Sequence, residues 1–207
     1  GEIYDANRPA LKALLLALPI DLIDLGILPD DKEEISSSML RAAQKSDLLV
    51  TSGGVSVGEA DHVVDVISKV GKLDFWRLNL KPGKPLAYGS INNTPIIGLP
   101  GNPVSTIVTA LLLLKPVMMH LCGSIPTAPT RLKATLDGEL SHQTGRAEYL
   151  RAHFNQKNKE IWVSSNQDQS SNRLSSFLGS NCLIEIPKEK GNVSAGSTVD
   201  IIPLNFI

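Results

Sequence analysis

The chain has 207 residues, of which 42% are hydrophobic and 20% are charged, and its formal net charge at pH 7 is −1. A chain of this length can bury a core as one large domain or as one ordinary and one small domain. The balanced charge argues against a broad basic face for nucleic acid. The longest apolar run, residues 107–114, is far shorter than the roughly 20 residues that span a bilayer. We therefore expect a cytoplasmic globular protein with no nucleic-acid or membrane partner.

Helical and extended patterns alternate through the first part of the chain. Apolar residues at helical spacing predict a helix with Asn7 as its N-cap and an end at Pro19, followed by a strand over residues 20–25. The later patterns predict helices over 33–45, 63–70 and 104–121, and strands over 47–51, 73–80, 86–91 and 95–99. This alternation predicts an α/β domain in three layers, with a mainly parallel sheet between two layers of helices.

The sequence changes character near residues 123–130, where two prolines occur and apolar periodicity is lost. Beyond this point, short extended patterns separated by turn residues predict a small β-barrel. The predicted strands are 132–136, 148–154, 161–164, 182–187 and 198–203. We therefore divide the chain into an α/β domain over residues 1–126 and a small β-barrel domain over residues 127–207.

The run SGGVSVGEAD at residues 52–61 follows the strand pattern at 47–51 and is the most informative segment of the chain. Its small residues include Gly53, Gly54, Ser56 and Gly58. Glycines let backbone N–H groups approach an anion, while the carboxylates of Glu59 and Asp61 can hold a cation beside it. The alternative is a sharp turn in which the glycines only supply positive φ angles. A turn needs no second acid, so the pattern favours a phosphate-binding loop.

A pair of acids, Asp30 and Asp31, follows the predicted strand at 20–25. Ligands of open α/β sheets bind beyond the carboxyl ends of strands, where such loops converge. One interpretation is helix capping with an acid in the first turn, and the other is binding of a cation or a hydroxyl group. Asp30 is the candidate for binding, because Asp31 can serve as the cap.

The turn KPGKP at residues 81–85 carries two lysines, Lys81 and Lys84, between two predicted strands. Prolines leave this backbone little freedom to lose on binding, so the turn can hold two cations in place for an oxyanion. A solvated turn is the alternative. Two prolines are more than a simple turn between strands requires, and the pattern therefore favours anion binding.

The segment LPGNPVS at residues 99–105 joins a predicted strand to the long apolar helix. Asn102 is expected to cap this helix and Pro103 to occupy its first position, with the free N–H groups behind them forming an anion site. Helix initiation alone accounts for these two residues. It does not account for Pro100 and Gly101, which bring bare backbone close to whatever fills the crevice.

None of these loops contains an evident pair of nucleophile and base, and His62 is interpreted as the start of a helix. Acids for a divalent cation, together with lysines and backbone amides for phosphate, are typical of phosphoryl-type transfer. Such chemistry depends on positioning and charge.

The three loops SGGVSVGEAD, KPGKP and LPGNPVS, in this order and spacing, resemble the molybdopterin molybdenumtransferase family of the MoeA type, which includes the E domain of gephyrin. The resemblance covers nearly the whole chain. Its further segments are GEIYDANR, LGILPDD, GRAEYLR, QSSNRLSSF and GNVSAGSTVDIIP. It implies a molybdopterin-binding α/β domain followed by a β-barrel. It also implies Mg²⁺-dependent insertion of molybdate into adenylylated molybdopterin, which releases molybdenum cofactor and AMP.

The resemblance also implies roles for individual residues. The acids near the metal and pyrophosphate would be Asp30, Glu59 and Asp61. Ser56 and the glycines of its loop would line the pterin phosphate. The lysines of the KPGKP turn would serve the reaction, and the oxyanion pocket would comprise Lys84, Pro85, Arg146 and Ser171. Pro100 and Pro103 match the prolines of the family's LPGNP loop. Arg77 departs from the pattern, because the family often has lysine there, and a forked guanidinium is not a compact ammonium.

Full-length members of this family carry two further upstream domains, one of which completes the active site of the partner in a homodimer. We therefore expect the 207 residues alone to bind ligand weakly and to turn over slowly or not at all. Two other functions are consistent with the residues. One is a molybdopterin adenylyltransferase, although those proteins usually stop near the end of the α/β domain. The other is a scaffold of the same fold that binds a protein partner.

Overall fold

The computed structural model of the protein describes residues 4–56, 62–125 and 128–204. The chain forms two compact units. The first unit comprises Gly1–Leu78 and Gly83–Pro126, and the second comprises Asn79–Pro82 and Thr127–Ile207. The short segment Asn79–Pro82 therefore clusters with the second unit, whereas the sequence pattern assigned it to the first domain.

The first unit is built from helices and a four-stranded sheet. Its helices are α1 (Asn7–Leu15), α2 (Lys32–Ala43), α3 (His62–Val70), α4 (Pro103–Thr109) and α5 (Lys115–Leu121). A π-helical segment (Ala110–Leu114) joins α4 to α5. The strands of this unit are β1 (Leu49–Ser52), β2 (Lys72–Trp76), β4 (Ala87–Ile91) and β5 (Thr94–Leu99), whereas β3 (Leu80–Lys81) belongs to the second unit.

The sheet has the order β1-β5-β4-β2, and it differs from the prediction in strand direction. Strands β1 and β5 are parallel, but β5 with β4 and β4 with β2 are antiparallel. Asn92 and Asn93 have positive φ angles of 49° and 67° and form a two-residue turn that makes β4 and β5 a hairpin. The prediction of a mainly parallel sheet is therefore wrong for the described strands, and the unrecognised turn accounts for the antiparallel pairing of β4 with β5.

Helices cover both faces of the sheet, so the three-layer α/β architecture is confirmed. Helices α2 and α3 pack on the face that presents Ile96, with Ile35 and Ile67 in the same cluster. Helices α1 and α5 pack on the opposite face, where Ile97 and Leu114 are buried. Neighbouring residues of β5 point to opposite faces, as the two-residue repeat of a strand requires.

The strand predicted over residues 20–25 is not formed, and this prediction is wrong. Ile23 is 58% exposed and Leu25 is 53% exposed. Alternating apolar residues form a strand only when a neighbouring strand pairs with their backbone, and the described part of the chain offers this segment no such strand. An ion pair of 3.2 Å between Arg8 Nη1 and Asp24 Oδ2 connects the segment to α1 instead.

The helical stretch Pro103–Leu121 is long and apolar enough to cross a membrane by length and composition alone. It lies in the core of the first unit, where Val108 and Leu114 are fully buried and Met118 nearly so. We therefore describe it as a core helix.

The second unit is a small β-barrel, as predicted. Its strands are β3 (Leu80–Lys81), β6 (Leu132–Leu136), β7 (Ala147–Lys157), β8 (Glu160–Ser165), β9 (Cys182–Ile186) and β10 (Thr198–Pro203). Strands β7-β8-β6-β10-β9 follow one another, and pairing of β9 with β7 closes the ring. Strand β3 pairs in parallel with the start of β7, at Ala147 and Glu148. Side chains such as Leu136, Val163 and Ile184 fill the interior.

Candidate ligand-binding site

Two of the four predicted loops meet at the carboxyl ends of β1 and β5. These strands are adjacent and parallel, with Ser52 opposite Leu99, so the chain leaves both at the same edge of the sheet. The Gly53 N–H donates to the Leu99 carbonyl over 3.1 Å. A Cβ atom placed on Gly101 would lie 3.7 Å from the Gly53 Cα. The expected convergence of the glycine loop and the LPGNP loop is therefore observed.

The described glycines of the first loop are required by its geometry. Gly53 and Gly54 have φ angles of +90° and +69°, which side chains on L-residues disfavour. A Cβ on Gly54 would also lie 2.5 Å from a methyl carbon of Val63. Ser56 is exposed at the far end of this turn. The remaining predicted residues of the loop, Gly58, Glu59 and Asp61, lie outside the described residues.

Asn7 connects these two loops, a role that sequence reasoning missed. It was predicted as the N-cap of α1, but Ala6 holds that position and Asn7 is the first helical residue. Its Nδ2 donates to Ser52 Oγ over 2.8 Å and to the Gly101 carbonyl over 2.7 Å. Its Oδ1 is buried and has no hydrogen-bond partner among the described residues. The only sequence signal was its place in the GEIYDANR segment of the family resemblance.

The LPGNP loop is held by a threonine of the helix that follows it. Thr106 Oγ1 donates to the Pro100 carbonyl over 2.6 Å, and the Thr106 N–H donates to the Asn102 carbonyl over 2.9 Å. Asn102 occupies the N-cap position and Pro103 the first turn, as predicted. The Asn102 side chain does not accept from the helix N–H groups, however, so the expected side-chain cap is absent. The first N–H groups of α4 consequently receive no bond from this side chain.

The two acids at the start of α2 have separate roles. Asp31 Oδ1 accepts the N–H groups of Glu33 and Glu34, each over 2.9 Å, which confirms Asp31 as the cap. Asp30 is exposed and has no hydrogen bond or ion pair in the part of the chain that the structure describes. Its carboxylate is therefore available to a cation.

The fit of Mg²⁺ can be tested on Asp30 only. Mg²⁺ binds through one or two protein carboxylates together with water and substrate phosphates, and an exposed aspartate suits that donor set. Within residues 4–56, 62–125 and 128–204, no group of three or more His, Cys, Asp or Glu side chains could hold a metal ion. The other two predicted ligands, Glu59 and Asp61, are outside these ranges.

The two lysines of the KPGKP turn belong to different units. Lys81 lies on β3 of the second unit, opposite Glu148 in the pairing with β7, and its Nζ is 2.7 Å from Glu148 Oε1. Lys84 lies in the first unit, is exposed, and has no ion-pair partner among the described residues. The Lys81 charge is thus balanced by a buried carboxylate, whereas the Lys84 ammonium remains available to a ligand. Pro85, which follows, is half-buried.

Arg146 and Ser171 lie in the second unit. Arg146 is exposed immediately before β7, and Ser171 is half-buried in the segment that follows β8. The fully buried Arg151 supports that segment, since its Nη2 donates to the carbonyls of Asp168 over 3.2 Å and Ser170 over 3.0 Å. Burial lowers the pKa of Arg151, and the nearby Asp168 and Glu148 oppose this effect. Sequence reasoning missed Arg151 as a support, although it closes the GRAEYLR segment.

The fold and the loops define a class of protein: a molybdopterin-binding α/β domain joined to a small β-barrel. Residues 1–120 match the family described as "Probable molybdopterin binding domain". Residues 133–204 match the family described as "MoeA C-terminal region (domain IV)". The first match alone covers more than half of the chain. The chain therefore belongs to the family of probable molybdopterin binding domains and also carries a MoeA C-terminal region, in agreement with the resemblance of its loops.

Individual relatives agree with this assignment. The chain is 43% identical to a molybdopterin molybdenumtransferase of Haemophilus influenzae, over all of this chain and 52% of the relative. It is 34% identical to gephyrin of Dictyostelium discoideum, over 99% of this chain and 34% of the relative. Two crystal structures of the MoeA protein from Pyrococcus horikoshii superpose with TM-scores of 0.80 and 0.78 at 26% and 25% identity, over 98% of this chain and 48% and 47% of those chains. The chain therefore spans about half or less of the length of these relatives.

Proposed function

We propose that the chain acts in molybdenum cofactor biosynthesis, as the part of an enzyme that inserts molybdate into adenylylated molybdopterin and releases molybdenum cofactor and AMP. The observation that supports this proposal most is the meeting of the glycine loop with the LPGNP loop. The backbones of two glycine-containing turns come close together there, at the ends of adjacent parallel strands. Such an arrangement suits the phosphates of an anionic cofactor precursor.

In the first unit, the two loops would bind the phosphate groups and the acids would bind Mg²⁺. The proposed phosphate-binding residues are Gly53, Gly54, Ser56, Gly58, Pro100, Gly101, Asn102 and Pro103. The proposed metal ligands are Asp30, Glu59 and Asp61. When bound, Mg²⁺ would neutralise charge on the pyrophosphate oxygens and so favour cleavage of the adenylate.

We assign molybdate to cationic side chains. Lys84 is the first candidate, because its ammonium is exposed and has no ion-pair partner among the described residues. Pro85 beside it would limit the motion of that turn. Arg146 and Ser171 are the proposed oxyanion ligands of the second unit. Lys81, although predicted as catalytic, is already paired with Glu148 and would act by holding its own segment in place.

The proposed reaction proceeds by positioning and charge rather than through a protein nucleophile. The Lys84 ammonium would hold molybdate, and the backbone N–H groups of the two loops would hold the phosphate groups. Together they would stabilise the negative charge that moves between these two anions during the reaction. Because the chain spans about half of its curated relatives, we propose that it works as part of a cytoplasmic homodimeric enzyme and that this portion alone turns over slowly.

The proposal can be tested by measuring AMP release from adenylylated molybdopterin by this chain at enzyme concentrations close to those of the substrate. We expect slow release that requires both molybdate and Mg²⁺, at a rate far below that of the full-length Haemophilus influenzae relative. Asp30→Asn should raise the Mg²⁺ concentration needed, whereas Glu33→Gln, an exposed carboxylate on α2, should not. Release without molybdate would contradict insertion, and a rate equal to the full-length enzyme's would contradict the expected slow turnover. A complete absence of release together with no heat of binding for molybdate, Mg²⁺ or AMP would favour a scaffold.

A further inference from the structure

A histidine buried in the second unit contacts the backbone of Arg146. The His142 side chain is 3% exposed, and it precedes the turn that leads into β7. Its Nδ1 lies 2.5 Å from the Lys190 carbonyl oxygen and its Nε2 lies 3.0 Å from the Arg146 carbonyl oxygen. Its backbone N–H donates to Asn192 Oδ1 over 2.9 Å. The ring therefore bridges the loop before β10 and the residue immediately before β7.

Both ring nitrogens face carbonyl oxygens in this arrangement. A carbonyl oxygen accepts hydrogen bonds and cannot donate, so each nitrogen needs a proton of its own. A neutral imidazole carries a single N–H, and one of the two contacts would then set a lone pair against a carbonyl oxygen. The doubly protonated, cationic ring satisfies both contacts.

A buried carboxylate supplies the opposite charge. Glu148 Oε2 lies 3.8 Å from His142 Nε2, and the Glu148 side chain is 7% exposed. Its other oxygen, Oε1, lies 2.7 Å from Lys81 Nζ. A charge this deep in a protein is costly unless an opposite charge and hydrogen bonds compensate for it. Glu148 lies between the Lys81 ammonium and the His142 ring, so its carboxylate can compensate a positive charge on either.

We infer that His142 and Glu148 are positioning residues for the cationic groups of the second unit. His142, doubly protonated, fixes the backbone carbonyl of Arg146, and Glu148 balances the imidazolium while it holds Lys81 on β3. The buried His142 ring thereby holds the Arg146 backbone in place, while the Arg146 side chain stays exposed. The role in oxyanion binding rests on the proposed function of Arg146, whereas the protonation of His142 does not.

The protonation is tested by proton–nitrogen NMR of the chain labelled with ¹⁵N-histidine, with His142 assigned by comparison with His142→Phe. We expect two ring N–H signals from His142 at pH 7.5 in the unmodified chain. Glu148→Gln should remove one of them, because the ring loses its opposite charge. Glu185→Gln is the matched control, since Glu185 is a carboxylate of the same barrel that pairs with Arg131 instead, and both signals should remain. A single ring N–H in the unmodified chain, or no change in Glu148→Gln, would overturn the inference.

The positioning role is tested by titration calorimetry with molybdate. His142→Phe should weaken molybdate binding about tenfold, the equivalent of one lost hydrogen bond. His153→Phe is the control, because the exposed His153 ring contacts the Gly179 carbonyl instead of Arg146, and this variant should leave binding unchanged. Equal affinity of His142→Phe and the unmodified chain would overturn the role. If the unmodified chain binds no molybdate, the proposed function of Arg146 fails, and the ring N–H count still decides the protonation.

Discussion

The two units differ in where they place their charged groups. Among described residues, the buried polar residues of the first unit are the hydroxyl side chains Ser105, Thr106 and Thr109. Those of the second unit are His142, Glu148, Arg151 and Ser176. The first unit thus keeps its candidate ligand groups, such as Asp30 and Lys84, at the surface, while the second unit encloses ionisable groups. The comparison indicates that the first unit leaves its candidate ligand groups accessible, whereas the second unit also uses buried charged groups to support its loops.

The difference follows from the two architectures. In the first unit, helices satisfy their own backbone groups, and the ligand loops are short turns at strand ends held by glycine, by Asn7 and by Thr106. In the barrel, the long segment between β8 and β9 has carbonyl groups without strand partners. Side chains must donate to them, and Arg151 does so from the interior.

The largest loss of stability is expected when a side chain in the apolar core of the first unit is truncated. Leu114→Ala removes a fully buried side chain from the cluster that also contains Leu11 of α1 and Ile97 of β5, and it should lower the free energy of unfolding by about 3 kcal/mol. Urea unfolding followed by circular dichroism measures this change. Leu121→Ala is the control, because Leu121 is 50% exposed and its truncation should cost about 0.5 kcal/mol or less. Equal losses for the two variants would contradict the assignment of this core.

Arg151→Met should have the next largest effect and should act on the second unit. It leaves the Asp168 and Ser170 carbonyls without their donor and should cost about 2 kcal/mol of stability. Hydrogen exchange should speed up in the segment that contains Ser171. Arg173→Met, which removes a guanidinium that is 70% exposed, serves as the control. A stable Arg151→Met variant with unchanged exchange would show that this buried charge does not hold the loop.

A smaller effect is expected from the acids of α2, and it separates the cap from the candidate metal ligand. Asp31→Ala removes the acceptor of two N–H groups and should cost about 1 kcal/mol. Asp30→Ala breaks no described contact, so its thermal unfolding should match that of the unmodified chain. Asp30→Ala should instead weaken Mg²⁺-dependent AMP release. If Asp30→Ala proved as unstable as Asp31→Ala, the division of roles would be wrong.

The smallest effect is expected on the pH dependence of the stability of the second unit. Burial tends to raise the pKa of Glu185, but hydrogen bonds from Arg131 and Tyr149 outweigh it and hold the pKa below its ordinary value of 4.5. A lowered folded pKa gives stability that is present above pH 4.5 and is lost as pH falls towards the folded pKa. Glu185→Gln should therefore flatten the acid limb of the stability curve below pH 4.5, measured by urea unfolding at several pH values. An unchanged acid limb would contradict the prediction.

The sequence predicted the parts of the fold that depend on local pattern. The helices of the first unit and the barrel strands have the predicted order, because hydrophobic periodicity and turn residues report them directly. The failed predictions depended on partners. Residues 20–25 have strand periodicity but no strand beside them, and the Asn92–Asn93 turn reversed β5 against β4.

The same distinction holds for the candidate site: its local motifs were predictable from the sequence, and its long-range contacts were not. Glycine and proline motifs identified loops that do converge, and Asp31 was correctly assigned as the cap. Supporting residues gave no such signal. Asn7, Glu148 and Arg151 act through contacts with residues distant in sequence or through burial, which a motif does not encode. The contrast between Lys81 and Lys84 likewise depends on the pairing of β3 with β7.

The central claim is that an exposed cation of the KPGKP turn binds a tetrahedral oxyanion, and molybdate calorimetry on the unmodified chain, Lys84→Ala and Lys81→Ala tests it most directly. We expect measurable binding by the unmodified chain and a loss of about tenfold or more in Lys84→Ala, as for removal of a charge-assisted contact. Lys81→Ala should lose less, since its ammonium is already paired. No heat of molybdate binding by the unmodified chain, or full affinity in Lys84→Ala, would contradict the claim.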